Sequence, residues 1–377
     1  MGVTDRYWGP IEPGEATRVF GRPVEIVKAH LRWLFAVAHC RWEGGEAILK
    51  RQPPMGRGAD ELRWQHRLTN HLADAGIPAV RVRRMVEMDG LWYEIADVAQ
   101  GDDVYAGTDT WEPFHSAAHA AEAGAALARL HDAAVDFVPA RPQPQTGFVV
   151  QLDLVRLEPA DAVAELAAAR PAVADYLAGL DWRPPVERAY GDAFRRLRPV
   201  LPGLPRTGLH GDWQTNNLFF EGDRISGIID FHQADHGPRL LDLATAVERN
   251  CFFWNRISEG EDDAYDLDHA AALLGAYDEV RPLSPAERAA FADVLACCQF
   301  EYGISFLDYY WGVEADREKA DWAWHTFVLG HAEWWQSDAG RSARALLGRV
   351  VPGILTPGTP TALVCPSIRR RPARPPR

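Results

Sequence analysis

Two periodicities divide the chain. Residues 24–52 alternate apolar and polar positions in short stretches rich in Val, Ile, Phe and Trp, from Trp33-Leu-Phe-Ala-Val-Ala-His-Cys-Arg-Trp42 through Glu43-Gly-Gly45 to Ala47-Ile-Leu-Lys-Arg51. Alternation around a Gly-Gly turn predicts a β-hairpin. After a Pro/Gly loop at 53–58 the period lengthens. Leu62, Leu68, Leu72 and Trp64 form one stripe, bounded by Asp60 and Gly76 as caps, which predicts a helix. Residues 91–101 read as a strand that bends at Gly101. Beyond 99 the text is helical: an Ala/Leu-rich run at 117–131, Pro-broken segments at 155–199, then 242–247, 268–276, 285–310 and 321–335. His131, in a last helical turn, reads as structural. One short strand–loop–strand at 209–231 interrupts the series. Residues 1–14, with Gly9-Pro10 and Pro13-Gly14, read as an irregular lead-in. The pattern predicts an α+β protein with a β-rich part at 1–98 and a helical part at 99–352. A Pro/Arg tail at 353–377 cannot build a core and is expected to be disordered.

Composition narrows the class. With 377 residues, 47% apolar content and 14 Trp, the chain can bury a substantial core in two lobes. No stretch approaches the roughly 18 consecutive apolar residues of a membrane span, and no basic start precedes an apolar segment as in a signal peptide. Five cysteines without C-x-x-C spacing read as reduced thiols, so a cytoplasmic location is expected. The formal net charge is −13, and −18 once the five arginines of the last nine residues are set aside. Such a body argues against nucleic acid as the main partner and favours cationic ligands.

The chemistry concentrates in Leu209-His-Gly-Asp-Trp-Gln-Thr-Asn-Asn-Leu218 and Ile225-Ser-Gly-Ile-Ile-Asp-Phe231. Asp212 can orient and deprotonate a hydroxyl. Asn217, five residues on, and Asp230, thirteen beyond it, offer oxygens suited to a magnesium ion. Phosphoryl transfer needs little more than an oriented nucleophile and cations on the phosphates. His210 reads as a buried organiser of the loop. A lone His-Gly-Asp is a common turn; the full spacing, followed by Asp242-Leu-Ala244, is what carries the reading.

The constellation resembles the kinase-like small-molecule phosphotransferases: the aminoglycoside phosphotransferases, the kinase-like homoserine kinases and the choline kinases. The resemblance implies a bilobed protein-kinase-like fold and use of Mg2+ with ATP or GTP as phosphate donor. It implies that Asp212 is the catalytic base, Asn217 and Asp230 are metal ligands, and Asp242 buttresses the loop. Lys50, ending a strand, would hold the nucleotide's phosphates. A helix carboxylate would pair with that lysine: Glu61 is the available Glu, with Gln65 one turn on. Backbone groups at Ala96 to Val98 would meet the base at an interlobe hinge. Glu301 and Asp308, among the aromatics of the last helices, are candidate acceptor-site carboxylates.

The chain departs from the pattern where glycines are expected. The turn before Lys50 reads Lys28-Ala-His-Leu-Arg-Trp33, so side chains such as Arg32 are candidates for phosphate contacts. The expected partner is a small-molecule hydroxyl acceptor, with no nucleic acid or membrane, on a monomer or homodimer. An antibiotic or aminated sugar is slightly favoured. A metabolic acceptor (homoserine, choline or a nucleoside) fits the motifs equally, and a catalytically silent kinase-like binding protein is the alternative of another class.

Overall fold

A computed structural model describes residues 9–31, 35–52, 58–108, 110–139, 148 and 150–350. Helix α1 (Pro13–Phe20) precedes five antiparallel strands, β1 (Glu25–Leu31), β2 (Ala36–Trp42), β3 (Gly45–Gln52), β4 (Val82–Met88) and β5 (Leu91–Ala96), in the order β1-β2-β3-β5-β4. Helix α2 (Ala59–Asp74) sits between β3 and β4 in the chain. Side chains alternate across a pleated sheet. One face carries Ala36, Ala38, Cys40, Ala47, Leu49, Tyr93 and Ile95, all buried with Ala16 and Val19 of α1. The other turns Val37, His39, Ile48, Lys50, Glu94 and Ala96 toward a cleft.

Helix α1 lies partly in the segment read as a lead-in. Its start and stop signals are local: Pro13 opens the first turn, and Gly21 closes it in the left-handed region at φ 70°. Glu15 of α1 accepts from the Arg51 guanidinium of β3 and the Tyr93 hydroxyl of β5, each at 2.8 Å, over the interior of the sheet. Only the folded sheet brings these three together, so the pairing has no local signature.

The remaining helices are α3 (Ala117–Ala133), α4 (Pro159–Ala169), α5 (Pro171–Leu177), α6 (Arg183–Leu197), α7 (Arg239–Cys251), α8 (Trp254–Ser258), α9 (Leu267–Val280), α10 (Pro285–Cys297), α11 (Phe300–Gly312), α12 (Arg317–Trp322), α13 (His331–Gln336) and α14 (Asp338–Val350). They share one large hydrophobic core. Most of the late aromatics belong to it: Phe300, Tyr302, Phe306, Tyr309 and Trp324 are buried, and Phe306 stacks on Phe327 with centroids 4.9 Å apart. The run Pro285–Gly312, contrary to the sequence expectation, is long and apolar enough to cross a membrane by length and composition. Its most apolar window is wholly buried by neighbouring helices, which is the environment of a core helix. Cys40, Cys251, Cys297 and Cys298 are buried free thiols, and burial pushes Cys40 up to about 11. Cys365, Arg32 and the 353–377 tail lie outside the described residues.

Two features of this core generate measurable consequences. A Cβ on Gly124 of α3 would lie 2.0 Å from the Leu273 carbonyl oxygen of α9, so these helices meet with no room for a methyl group. Gly124→Ala is expected to lower stability by about 1–3 kcal/mol despite its better helix propensity, read by urea denaturation. Glu301, buried on α11, is pushed up to about 7 chiefly by burial, which the Gln151 N–H donating to its Oε2 at 2.8 Å only partly offsets. A carboxyl raised above its unfolded value contributes stability below that value and loses it as pH rises through about 7. Glu301→Gln should therefore become progressively more stabilising relative to wild type as pH rises from the ordinary carboxylate range to about 7, and level off above it, as followed by thermal melting.

Candidate active site

The catalytic segment is a loop hung between short strands. β6 (Arg206–Leu209) pairs with β9 (Asp235–Pro238), and β7 (Leu218–Glu221) with β8 (Arg224–Ile228). Residues 210–217 connect the two pairs. The β7–β8 hairpin is stitched to the sheet-bearing lobe by Ile228, whose N–H donates to the Pro78 carbonyl and whose carbonyl accepts from Val80 N–H. Phe220 exchanges two further backbone bonds with Asp102.

Helix α7 holds the loop from beneath. Asp242, in its first turn, accepts from the backbone N–H of His210 at 2.7 Å and of Gly211 at 2.8 Å. The Asn250 amide, eight residues and about two turns on, accepts from Thr215 N–H and donates to the Trp213 carbonyl. His131 Nε2 lies 3.1 Å from Asp242, and its Nδ1 lies 2.8 Å from the Tyr277 hydroxyl. A carboxylate on one side fixes the tautomer, so Nε2–H donates and Nδ1 accepts. Burial disfavours charge on both groups, but the hydrogen bonds it receives keep Asp242 below the usual carboxylate range, while His131 is held neutral. Gly211 turns the chain at φ 83°, and a Cβ there would meet the Gln233 carbonyl at 2.2 Å, so the glycine is required twice over.

His210 organises the loop, as its sequence context suggested. Its Nε2 is 2.9 Å from the Ile229 carbonyl, its Nδ1 accepts from Asp212 N–H, and its ring packs edge-on against buried Trp213. Asp212 is buried, and one carboxylate oxygen accepts from Gln214 at 2.8 Å and Asn217 at 3.2 Å. The other, Oδ1, has no hydrogen-bond partner among the described residues. Burial raises the Asp212 carboxyl, with Asp230 adding to the shift and Arg249 opposing it. A carboxylate with one orphaned oxygen and a raised pKa is chemically suited to accept a hydroxyl proton. Asn216, whose role the sequence left open, exchanges hydrogen bonds with Thr108 and ties a neighbouring loop to this one.

Asp230 follows β8 in the left-handed region at φ 61°. That turn aims its carboxylate at the other lobe, where Lys50 Nζ lies 2.6 Å from Oδ1. Burial alone would raise the Asp230 carboxyl; Lys50 and His232 hold it down at about 2. The ammonium also lies 3.8 Å from the centre of the Phe35 ring. Lys50, Asp212, Asn217 and Asp230 thus line one cleft of about 490 Å³.

At one end the cleft is lined by Ala96, Asp97, Val98 and Ala99, just beyond β5, and by Lys28, His30, Val37 and His39. Glu61 does not reach Lys50. Its carboxylate accepts from Gly58 N–H and caps the start of α2, the position where an acidic residue is favoured by the helix dipole. Gln65 and Thr69 present the cleft-facing side of α2 instead. Glu94 of β5, overlooked in the sequence, lines the cleft beside them. Its signal was a lone acid in an otherwise apolar strand.

On the acceptor side Glu301 and Asp308 are occupied elsewhere. Glu301 holds the backbone at Gln151, and Asp308 lies 3.8 Å from buried Arg170, which also donates to Ser305. Neither lines the cleft. Tyr302, next to Glu301, does, and behind it packs buried Arg249 of α7, missed in the sequence because helix α7 is buried on every face. The Arg249 guanidinium lies 4.3 Å from the Tyr302 ring centre, 5.4 Å from that of Trp111 and 3.9 Å from Asp212 Oδ1. Burial disfavours its charge, but Tyr302, Asp212 and adjacent Glu248 keep it firmly protonated.

Among the described residues, no three His, Cys, Asp or Glu converge as a metal cage. The donors present are one carboxylate and one amide, Asp230 and Asn217, beside an excess of negative charge. That set fits magnesium, which is commonly shared between one or two protein oxygens and nucleotide phosphates, and does not fit zinc.

A model of the phosphotransferase enzyme family matches residues 26–283. A homoserine kinase of Rhodopseudomonas palustris is 31% identical over 240 residues, covering 61% of this chain and 63% of its own length, so the match spans a little under two thirds of that relative. One of Granulibacter bethesdensis is 30% identical over 255 residues, covering 66% and 70%. Among solved structures, a microcompartment-associated aminopropanol kinase superposes with a TM-score of 0.57 at 14% identity over 90% of this chain and 100% of its own. A thermostable mutant of aminoglycoside phosphotransferase APH(4)-Ia, in ternary complex with AMP-PNP and hygromycin B, gives 0.53 at 19% identity over 87% and 98%. These superpositions establish the bilobed kinase-like fold, and with the family match over most of the chain they lead to one conclusion: this protein belongs to the phosphotransferase enzyme family.

Proposed function

We propose that this protein transfers the γ-phosphate of ATP or GTP to a hydroxyl of a small metabolite that carries a carboxylate, a hydroxy amino acid being the best fit. The observation that carries the acceptor reading is Arg249, a buried cation 3.9 Å from the orphaned oxygen of Asp212. An acceptor whose hydroxyl meets Asp212 would place a carboxylate two or three bonds away within reach of the guanidinium, which recognises carboxylates well. The same cation opposes a polycationic aminoglycoside, and Glu301 and Asp308 are committed to internal partners rather than to a cationic ligand. The similarity to homoserine kinases points the same way. This shifts the balance from the antibiotic acceptor toward the metabolic one.

In this reading Asp212 orients the hydroxyl and takes up its proton as the bond to phosphorus forms. Asn217 and Gln214 hydrogen-bond Oδ2 and fix the orientation of the Asp212 carboxylate. Lys50 binds the nucleotide's phosphates. Asn217 and Asp230 would hold magnesium, which supplies charge neutralisation on the phosphates when bound. Tyr302, with Trp111 behind Arg249, walls the acceptor end against water.

Mass spectrometry of products from homoserine, other hydroxy amino acids, choline, nucleosides and aminoglycosides, with magnesium and ATP or GTP, tests the proposal. Hydroxy amino acids should give a phosphorylated product. Turnover confined to aminoglycosides would overturn the acceptor class, and nucleotide binding without turnover of any acceptor would favour a silent binding protein. Asp212→Asn should cut kcat about a thousandfold while leaving nucleotide affinity nearly unchanged. Asp242→Asn should cost about 3 kcal/mol or more in stability, because it replaces a buried acceptor of three hydrogen bonds.

A further inference from the structure

We infer that Glu94 positions Lys50 for nucleotide binding, standing in for the helix glutamate that α2 does not offer. The inference rests on the nucleotide-dependent reading above. Lys50 and Glu94 are register partners on the antiparallel strands β3 and β5. Opposite residues in such a pair share a face with Cβ atoms about 5 Å apart. Both line the cleft.

Glu94 is prepared for this role. It is 5% exposed, and its Oε1 accepts from the Gln52 amide, two residues along β3 from Lys50. His66 Nε2 of α2 lies 3.2 Å from the same oxygen. The Gln52 amide orients this buried carboxylate and the His66 imidazole stands beside it; it stays ionised because His66, Lys50 and His232 outweigh the cost of burial. His66 is thereby the link from helix to strand that a direct helix carboxylate would otherwise make.

Lys50 itself is paired with Asp230, with Nζ 2.6 Å from Oδ1. If Asp230 were to hold a metal, Lys50 would lose that partner, and a second carboxylate on its own face would keep the ammonium in place. Glu61 is committed to the α2 cap, and the cleft-facing α2 positions are Gln65 and Thr69. Glu94 is the carboxylate across the strand pair.

Titration of the full-length protein with Mg-ADP, without acceptor, tests this directly. Glu94→Gln should weaken ADP binding about tenfold, raise the nucleotide KM by a similar factor and change kcat little. Lys50→Met should weaken it comparably, and the double variant no further, because both changes remove one interaction. Additive losses in the double variant, or a Glu94→Gln affinity within twofold of wild type, would overturn the inference. If Glu94→Gln unfolds, Glu94→Asp serves instead: a retained charge at shorter reach should bind ADP less tightly than wild type, again with no added loss in the Lys50→Met background, and additivity would overturn it. Absence of ADP binding by the wild type would overturn the nucleotide-dependent reading itself, a result distinguishable from failure of Glu94 alone.

Discussion

The candidate active site hangs on one buried carboxylate that does not line the cleft. Asp242 lies in the first turn of α7, inside the core, and takes the backbone N–H groups of His210 and Gly211. Loop amides at that depth would otherwise be unsatisfied, at a cost of about 1–3 kcal/mol each. Their capture forces the chain to turn at Gly211 and present Asp212 to the cleft. Asn250 repeats the arrangement at the far end of the loop. The loop is therefore irregular in dihedral angles but as rigid as the helix it is bonded to.

That rigidity lets charge accumulate. Asp212, Asp230 and Glu94 face one cleft together with Lys50, and Arg249 lies buried behind Asp212. Like charges this close would relax apart in a flexible segment. Here β8, β5 and α7 hold them, and the mismatch appears as opposite shifts: Asp212 is raised, while Asp230 is lowered by the lysine. Two carboxylates thus acquire different chemistry, one basic and one ready for a cation.

The sequence made the backbone of this arrangement readable and left its cross-links dark. The His-Gly-Asp spacing, the hairpin to Asp230 and the lysine at the end of β3 depend on local order, and the structure brings them to one cleft. Asp242 was legible through the Asp-Leu-Ala at the helix start. Asn250 and Arg249 were not, because a helix buried all round shows no polar stripe by which to choose its functional face. Glu61 misled for a physical reason: an acid three residues after Gly58 is favoured by the helix end itself, so its presence says nothing about the lysine. Glu301 sits beside the cleft-lining Tyr302, but helical geometry turns adjacent positions about 100° apart, and Asp308 lies six residues further along α11. Helix α1 was masked by the Pro and Gly residues that bound it.

The pairing of Lys50 with Asp230 joins the two lobes. A phosphate group that takes Lys50 as its partner would have to displace Asp230, so binding there would be an exchange of partners. Thermodynamically, the clasp is a competitor: its free energy is subtracted from the nucleotide's apparent affinity. In return, the lobes' relative freedom is restricted in advance, so less entropy is lost on association. Competition of this kind carries an ionic-strength signature, because salt loosens a partly exposed ion pair as it also weakens phosphate binding.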